Sequence, residues 1–253
     1  MHPIIFSLGG LTIHSYGVLA IIAMVAAGFV VIRLSPRSGI GSASALELVI
    51  AAVVGGLVGG RLYWAAEHWH EVRGDLLRAL IGGAGLTWYG GLLGGIAAVV
   101  VLARIRRLEV GQVANVMAPA VALGYAVARI GCLLAGDGTY GRPSDLPWAM
   151  AFPHGVVPTT VRVQPTELYE TLVMLAVFAI LYRMARRPQA GWRVFAWFLV
   201  LSGAERFAIE FLRLNARGFL GLTAPQWFAV ASVLLGTVAL LATRQRSELQ
   251  ATA

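Results

Sequence analysis

The chain alternates between long apolar runs and short joints that carry arginine. Seven runs, approximately 16–34, 45–66, 86–104, 113–134, 167–185, 192–213 and 225–243, are about long enough for helices that cross a hydrocarbon core of roughly 30 Å. The second is the least plain, because Arg61 lies near its end. Two connections are longer than the rest, about 67–85 and 135–166. The later one holds Pro143, Pro147, Pro153, Pro158 and Pro165 together with Gly136, Gly138 and Gly141, so no single helix runs through it. Its stretch RPSDLPWAMAFPHG is apolar enough to lie on a membrane surface. The expected architecture is an all-α integral membrane protein. It has about seven transmembrane helices, a Pro/Gly-rich segment between the fourth and fifth, and a single transmembrane domain over residues 1–253.

Composition strengthens that reading. Hydrophobic residues make up 58% of the 253 and charged residues only 13%. A soluble domain carries roughly a quarter charged. Mean hydropathy is +0.75. The net charge is +8, and all twenty basic residues are arginine. These arginines are spread between apolar runs and form no patch, which argues against nucleic acid as a partner. Two accounts of them stand side by side. One is the positive-inside bias of membrane proteins on a genome that favours arginine. The other is phosphate recognition, for which the guanidinium fork is suited.

Counting arginines in the joints gives an orientation. Arg33, Arg37, Arg104, Arg106, Arg107, Arg183, Arg186, Arg187, Arg193, Arg244 and Arg246 fall on one side, and Arg73, Arg78, Arg142, Arg162, Arg213 and Arg217 on the other. The richer side is expected to be cytoplasmic. The N-terminus then lies outside, the C-terminus inside, and both long connections face outward. The opening MHPIIFSLGG has no positively charged region, so no cleavable signal peptide is expected. The single cysteine, Cys132, excludes an internal disulfide, and no metal-ligand pattern stands out.

Two kinds of residue break the apolar runs. Glycines recur four apart in GGLVGGRLY and YGGLLGG, pairing Gly55 with Gly59, Gly56 with Gly60, Gly90 with Gly94 and Gly91 with Gly95. Close helix packing in lipid accounts for them. Charges are harder to place. Arg61, Arg129, Glu205, Arg206 and Glu210 fall within or at the ends of runs. Each opposes insertion by at least about 2.5 kcal/mol at mid-membrane, so each should face a partner, a cavity or a ligand.

In GAERFAIEFLR, helical spacing puts Arg206, Glu210 and Arg213 on one face. A structural ion pair explains two of them. With Arg129, three arginines against one glutamate leave positive charge that suits an anion such as a phospholipid headgroup. QPTELYE, 164–170, reads as a helix start, with Thr166 as N-cap and Glu167 and Glu170 in the first turn. Either the two carboxylates serve the cap and dipole, or one of them holds an arginine. His14 and Tyr16 in HSYG fit an interfacial aromatic belt as readily as a site.

Taken in order, HPIIFSLGGLTIHSYG, GGRLYW, WYGGLLGG, ARIGCLLAGDGTYGR, QPTELYE and RFAIEFLR resemble the bacterial prolipoprotein diacylglyceryl transferases, over nearly the whole chain. The resemblance implies a multi-pass inner-membrane enzyme without metal or cofactor, with its Pro/Gly-rich segment in the periplasm. Its partners would be phosphatidylglycerol, prolipoprotein signal peptides and membrane lipids. The diacylglyceryl group of the lipid would pass to the thiol of a lipobox cysteine, and glycerol 1-phosphate would leave.

The implied catalytic residues are Tyr16, Arg129, Arg206 and Glu210, with Tyr89 at the position of the family's histidine. Arg61, Gly141, His14 and Arg213 are the implied substrate-binding residues. Several positions depart from the family pattern. Tyr89 replaces that histidine, and Cys132 replaces the asparagine three residues after the signature arginine. The segment LLAGDGTYG is one residue longer, and QPTELYE stands for HPSQLYE. A phenol is mostly protonated near neutral pH and acts as a donor, not a base. That leaves His14 and Glu210 as alternative proton acceptors. Two rival readings remain, a phospholipid-using transferase with another acceptor and a non-catalytic lipid-binding or lipid-translocating protein.

Overall fold

The computed structural model describes residues 3–8, 11–74, 87–187, 189 and 191–251. Residues 75–86, with Arg78 and most of the first long connection, lie outside the described residues. So do His2, Gly9 and Gly10 of the N-terminal motif and the side chain of Arg246. The chain falls into two compact units, one of residues 1–30 and 114–253, the other of 31–113.

The helices follow the apolar runs. They are α1 (Ser15–Leu34), α2 (Ser42–Glu67), a short α3 (Trp69–Val72), α4 (Trp88–Ile105), α5 (Val110–Ala135), α6 (Thr166–Ala185), α7 (Arg193–Ile209) and α8 (Ala224–Ala251). In lipid a helix satisfies every backbone group within itself, which is why apolar sequence of this length adopts it. Six helices are long and apolar enough to cross a membrane, namely α1, α2, α4, α5, α6 and α8. The remaining expected span, 192–213, differs. It gives a helix of 17 residues followed by a 3-10 turn, Glu210–Leu212. At 1.5 Å per residue α7 is roughly 26 Å long, and its last turns carry Glu205 and Arg206.

The all-helical expectation holds for the bulk of the chain, with two small additions. Strands β1 (Ile4–Leu8) and β2 (Leu11–His14) form an antiparallel hairpin that leads directly into α1. Ser15 N donates to Pro3 O at 3.0 Å and closes it. Strands β3 (Met150–Phe152) and β4 (Thr159–Val163) pair inside the Pro/Gly-rich segment.

That segment is tightly held. Arg162 donates from Nε and Nη2 to Ala149 O at 3.1 and 3.0 Å and from Nη2 to Pro147 O at 3.1 Å. Tyr140 stacks on the fully buried Phe152, with ring centroids 5.0 Å apart.

In the unit of residues 31–113, α2 and α4 meet through the predicted glycines. A Cβ on Gly59 would stand 2.7 Å from Gly94 Cα, and a Cβ on Gly55 would stand 2.7 Å from Gly94 O. Two polar contacts close this seam. Thr87 N donates to Gly60 O at 3.2 Å, and Arg106 grips Glu47 with Nε–Oε2 at 2.7 Å and Nη2–Oε1 at 2.5 Å.

The larger unit uses small residues too. A Cβ on Gly203 would meet Ala229 O at 2.9 Å, and one on Gly236 would meet Ala196 O at 2.6 Å, so α7 and α8 approach closely. Asn115 of α5 supplies a cap to another helix. Its Oδ1 accepts from Val194 N at 2.9 Å and Phe195 N at 3.1 Å, and its Nδ2 donates to Gly191 O at 2.7 Å. Those amides belong to the first turn of α7, whose N–H groups have no partner within the helix.

Candidate functional site

A polar centre forms where α5, α6 and the end of α7 meet. Helix α5 contributes Tyr125, Arg129 and Cys132, whose four- and three-residue spacing puts them on one face. Helix α6 contributes Glu167 and Glu170, both fully buried. Helix α7 brings Glu205 and Arg206, and the turn after it brings Glu210 and Arg213.

Glu170 is the hub. Arg129 Nη2 pairs with its Oε2, Arg213 Nη2 reaches Oε2 at 2.9 Å, and Arg206 Nη1 reaches Oε1 at 3.3 Å. Tyr125 donates its hydroxyl to Oε1 at 3.1 Å. Arg206 Nη2 also holds Glu210 Oε2 at 2.7 Å, and Glu210 Oε1 accepts from Asn215 Nδ2 at 2.6 Å.

This corrects two expectations. The central carboxylate is Glu170, not Glu210, and the three arginines meet two carboxylates directly instead of one. Arg213 does not share a helical face with Arg206 and Glu210. A 3-10 turn begins at Glu210, and Arg213 is extended (φ −88°, ψ 165°), so its guanidinium crosses to α6.

Even after these pairings, donors are left over. Arg129 Nε and Arg213 Nε are buried and have no hydrogen-bond partner among the described residues. Arg129 Nη1 lies 3.5 Å from Cys132 Sγ. A guanidinium with unspent N–H groups inside a membrane protein is equipped to bind an anion, phosphate oxygens above all.

Thr166 is not a side-chain cap, which is a further correction. Helix α6 starts at Thr166 with Pro165 in the cap position and no side-chain cap bond. The Thr166 hydroxyl instead donates to Thr139 O at 2.8 Å and fastens the Pro/Gly-rich segment to α6. Thr139 Oγ1 stands between Asp137 Oδ1 at 2.7 Å and Glu167 Oε1 at 3.0 Å.

Gly141 is wedged where three segments cross. A Cβ there would stand 2.7 Å from Leu212 O and 2.8 Å from Thr166 Cγ2, while Gly141 N donates to Gln164 O at 2.8 Å. Its place is positional, since only glycine lets Leu212, and Arg213 after it, come so near.

Tyr16 opens α1 and packs over α5, where a Cβ on Gly131 would stand 3.4 Å from Tyr16 Cδ2. Its side chain is half exposed. His14 ends β2 and is exposed. Arg61 on α2 and Tyr89 on α4 belong to the unit of residues 31–113. Arg61 is half-buried there, and Tyr89 sets its ring edge to face with Trp88 at 5.3 Å.

Sequence reasoning allowed that one carboxylate of QPTELYE holds an arginine, which Glu170 does, but it did not single out Glu170 as the hub and it missed Tyr125. For Glu170 the available signal was two carboxylates in QPTELYE and three arginines without enough acid. Tyr125 gave no signal, since one aromatic in an apolar run reads as packing.

Comparison with known proteins adds a separate line. The family model described as "Prolipoprotein diacylglyceryl transferase" matches residues 3–242. Curated proteins named phosphatidylglycerol–prolipoprotein diacylglyceryl transferase are similar along almost their whole length. The one from Methylococcus capsulatus is 34% identical over 258 residues, covering 96% of this chain and 96% of that protein. The one from Bordetella avium is 32% identical, covering 98% and 97%. The one from Clostridium tetani is 28% identical, covering 93% and 95%.

Proposed function

The chain belongs to the prolipoprotein diacylglyceryl transferase family, and from that premise we propose that it moves the diacylglyceryl group of phosphatidylglycerol onto the thiol of a lipobox cysteine in a prolipoprotein signal peptide. Glycerol 1-phosphate leaves, in the first step of lipoprotein maturation. The observation that carries this reading is the convergence of Arg129, Arg206 and Arg213 on Glu170, with guanidinium N–H groups still unspent.

The reaction asks for such a centre. A phosphate ester departs as an anion, and preorganised donors at a water-poor site stabilise the charge that develops on it. Arg129, Arg206 and Arg213 bind the phosphate and Glu170 positions all three. Glu210 fixes Arg206, and Gly141 permits the close crossing that brings Arg213 in. Tyr16, His14, Arg61 and Tyr89 contact lipid or peptide. The nucleophile comes with the substrate, so the enzyme requires no cysteine of its own.

The chain works as one transferase domain in the bacterial inner membrane, N-terminus outside and C-terminus cytoplasmic, with 135–166 in the periplasm. Orientation is tested by labelling whole cells with a membrane-impermeant thiol reagent in a Cys132→Ser background. Asp145→Cys should label and Arg104→Cys should not. The opposite pattern refutes the topology.

The activity is tested with purified protein, phosphatidylglycerol vesicles and a synthetic lipobox peptide. Wild type should lipidate the peptide and release glycerol phosphate. Arg129→Ala and Arg206→Ala should insert normally yet lose turnover, and lysine at either place should rescue poorly because it lacks the fork. Normal turnover in both alanine variants would remove the phosphate account. The replacement of the family's histidine and asparagine by Tyr89 and Cys132 favours a second reading, in which the same lipid chemistry serves a different acceptor. Release of glycerol phosphate without peptide modification would select it.

A further inference from the structure

Around the three arginines, most carboxylate oxygens are already engaged. Glu170 takes Arg129, Arg206, Arg213 and Tyr125. Glu210 takes Arg206 and Asn215, and Glu167 has Thr139 on Oε1, with its buried Oε2 left without a hydrogen-bond partner among the described residues. Glu205 differs. Among the described residues no hydrogen bond reaches it, and its Oε1 is buried. It stands one residue before Arg206 on α7 and interacts electrostatically with Arg129 and Tyr125 of α5 and with Glu170 of α6. This carboxylate lies beside the anion-binding centre with its acceptor capacity unused.

Transfer to a thiol requires an acceptor for one proton, because the thiolate is the nucleophile. Guanidinium groups have no lone pair to offer. Glu210 and Glu170 are held by cations on both oxygens or by a cation and an amide, and protonating either would dismantle the arginine cluster. At the position of the family's histidine stands Tyr89, a phenol.

We infer that Glu205 is the base that takes the proton of the incoming thiol, an inference that rests on the transferase reading above. In the step, the S–H proton moves to Glu205 Oε1. The sulfur lone pair forms the bond to the glyceryl carbon. The bond from that carbon to the phosphate oxygen breaks, and its electron pair leaves with glycerol 1-phosphate, which departs against the guanidinium groups. Glu205 then gives the proton to water and is ready for the next turnover. No oxidant, metal or further co-reactant enters the balance.

The test uses the full chain in phosphatidylglycerol vesicles with two lipobox peptides, one bearing the ordinary cysteine and one bearing selenocysteine. A selenol is ionised at neutral pH and requires no base. With the cysteine peptide, Glu205→Gln should lose about 10²- to 10⁴-fold in kcat, the range general-base removal gives, while KM for the lipid stays within about threefold. With the selenocysteine peptide the same variant should approach the wild-type rate. Glu205→Asp should fall between, and the acidic limb of the wild-type pH–rate profile should vanish in Glu205→Gln. The inference fails if Glu205→Gln keeps its rate on the cysteine peptide. It also fails if the variant loses both peptides equally, which marks a structural role. A wild type inactive on both peptides refutes the transferase reading itself.

Discussion

Helices α2 and α4 meet backbone to backbone, whereas α5, α6 and α7 meet through ion pairs. In the first seam Gly55, Gly59, Gly90 and Gly94 let the two backbones approach, with only the Cβ atoms of Ala98 and Tyr63 beside them. In the second, Arg129, Glu170 and Arg206 place charge at the same kind of junction. Apolar helices gain little from each other in lipid, because the tails are as apolar as they are, so association rests on close packing and polar contacts. Glycine packing achieves it without burying a charge. Burying charge at a helix junction in lipid, by contrast, carries a free-energy cost. Holding helices together does not require that expenditure, as the glycine seam demonstrates within the same chain. The charged seam therefore needs a reason beyond helix association, and the proposed phosphate chemistry supplies one.

Glu170→Ala is the most severe way to break the contrast. It leaves Arg129, Arg206 and Arg213 facing one another around an empty hub. Deleting one partner of a buried ion pair costs roughly 3–5 kcal/mol. Turnover of phosphatidylglycerol should drop to background, and the thermal midpoint of the detergent-solubilised protein should fall with it. Glu170→Gln keeps the volume and one acceptor oxygen, so it should fold better than the alanine variant while remaining inactive. Full turnover in Glu170→Gln would mean that the hub's charge is dispensable, and the distinction between the two seams would lose its meaning.

A smaller effect sharpens the other side. A Cβ on Gly94 would stand 2.7 Å from Gly59 Cα and run into Gly55 O as well, whereas a Cβ on Gly91 meets only Gly56 O, at 3.4 Å. Gly94→Ala should therefore lower stability by about 1–3 kcal/mol, the usual range for overpacking. Gly91→Ala should be close to neutral. Unfolding of the two variants in mixed micelles checks the difference. Equal behaviour would show that the seam is looser than backbone contact requires.

Much of this was legible in the chain. Runs of apolar residues gave the helices nearly to their ends, because backbone satisfaction in lipid leaves few alternatives. The glycine spacing gave the α2–α4 seam. Arg129 and Arg206 were legible as misfits. What escaped depended on partners distant in sequence. Glu170 reads equally as a helix-start acid or as the partner of one arginine until α5, α7 and the turn after it deliver three guanidinium groups to it. Asn115 reads as one polar residue in an apolar run until Val194 and Phe195 present their amides. Arg213 obeyed helical spacing on paper, but the 3-10 turn at Glu210 redirected it. The β1–β2 hairpin was overlooked because its residues are apolar enough to pass for a lead-in to the first span.

The mildest change tests the boundary of the charged seam. Cys132 is buried, and its Sγ is 3.5 Å from Arg129 Nη1. This proximity tempts one toward a covalent role. Family chemistry takes the thiol from the substrate, and a buried cysteine behaves mostly as a small apolar residue. Cys132→Ser removes nucleophilicity, keeps nearly the same shape, and offers Arg129 a better acceptor. Stability should change by less than about 1 kcal/mol, the net worth of one hydrogen bond. Turnover should remain close to that of wild type, and Cys132→Asn, which restores the family's residue, should be active as well. Both rates can be read in the vesicle assay, with mass spectrometry of the wild-type protein after incubation with lipid. A dead serine variant together with a diacylglyceryl adduct on wild-type Cys132 would make the cysteine the acceptor in a covalent intermediate. The arginine cluster would then still activate the lipid, but the sulfur it serves first would be the enzyme's own.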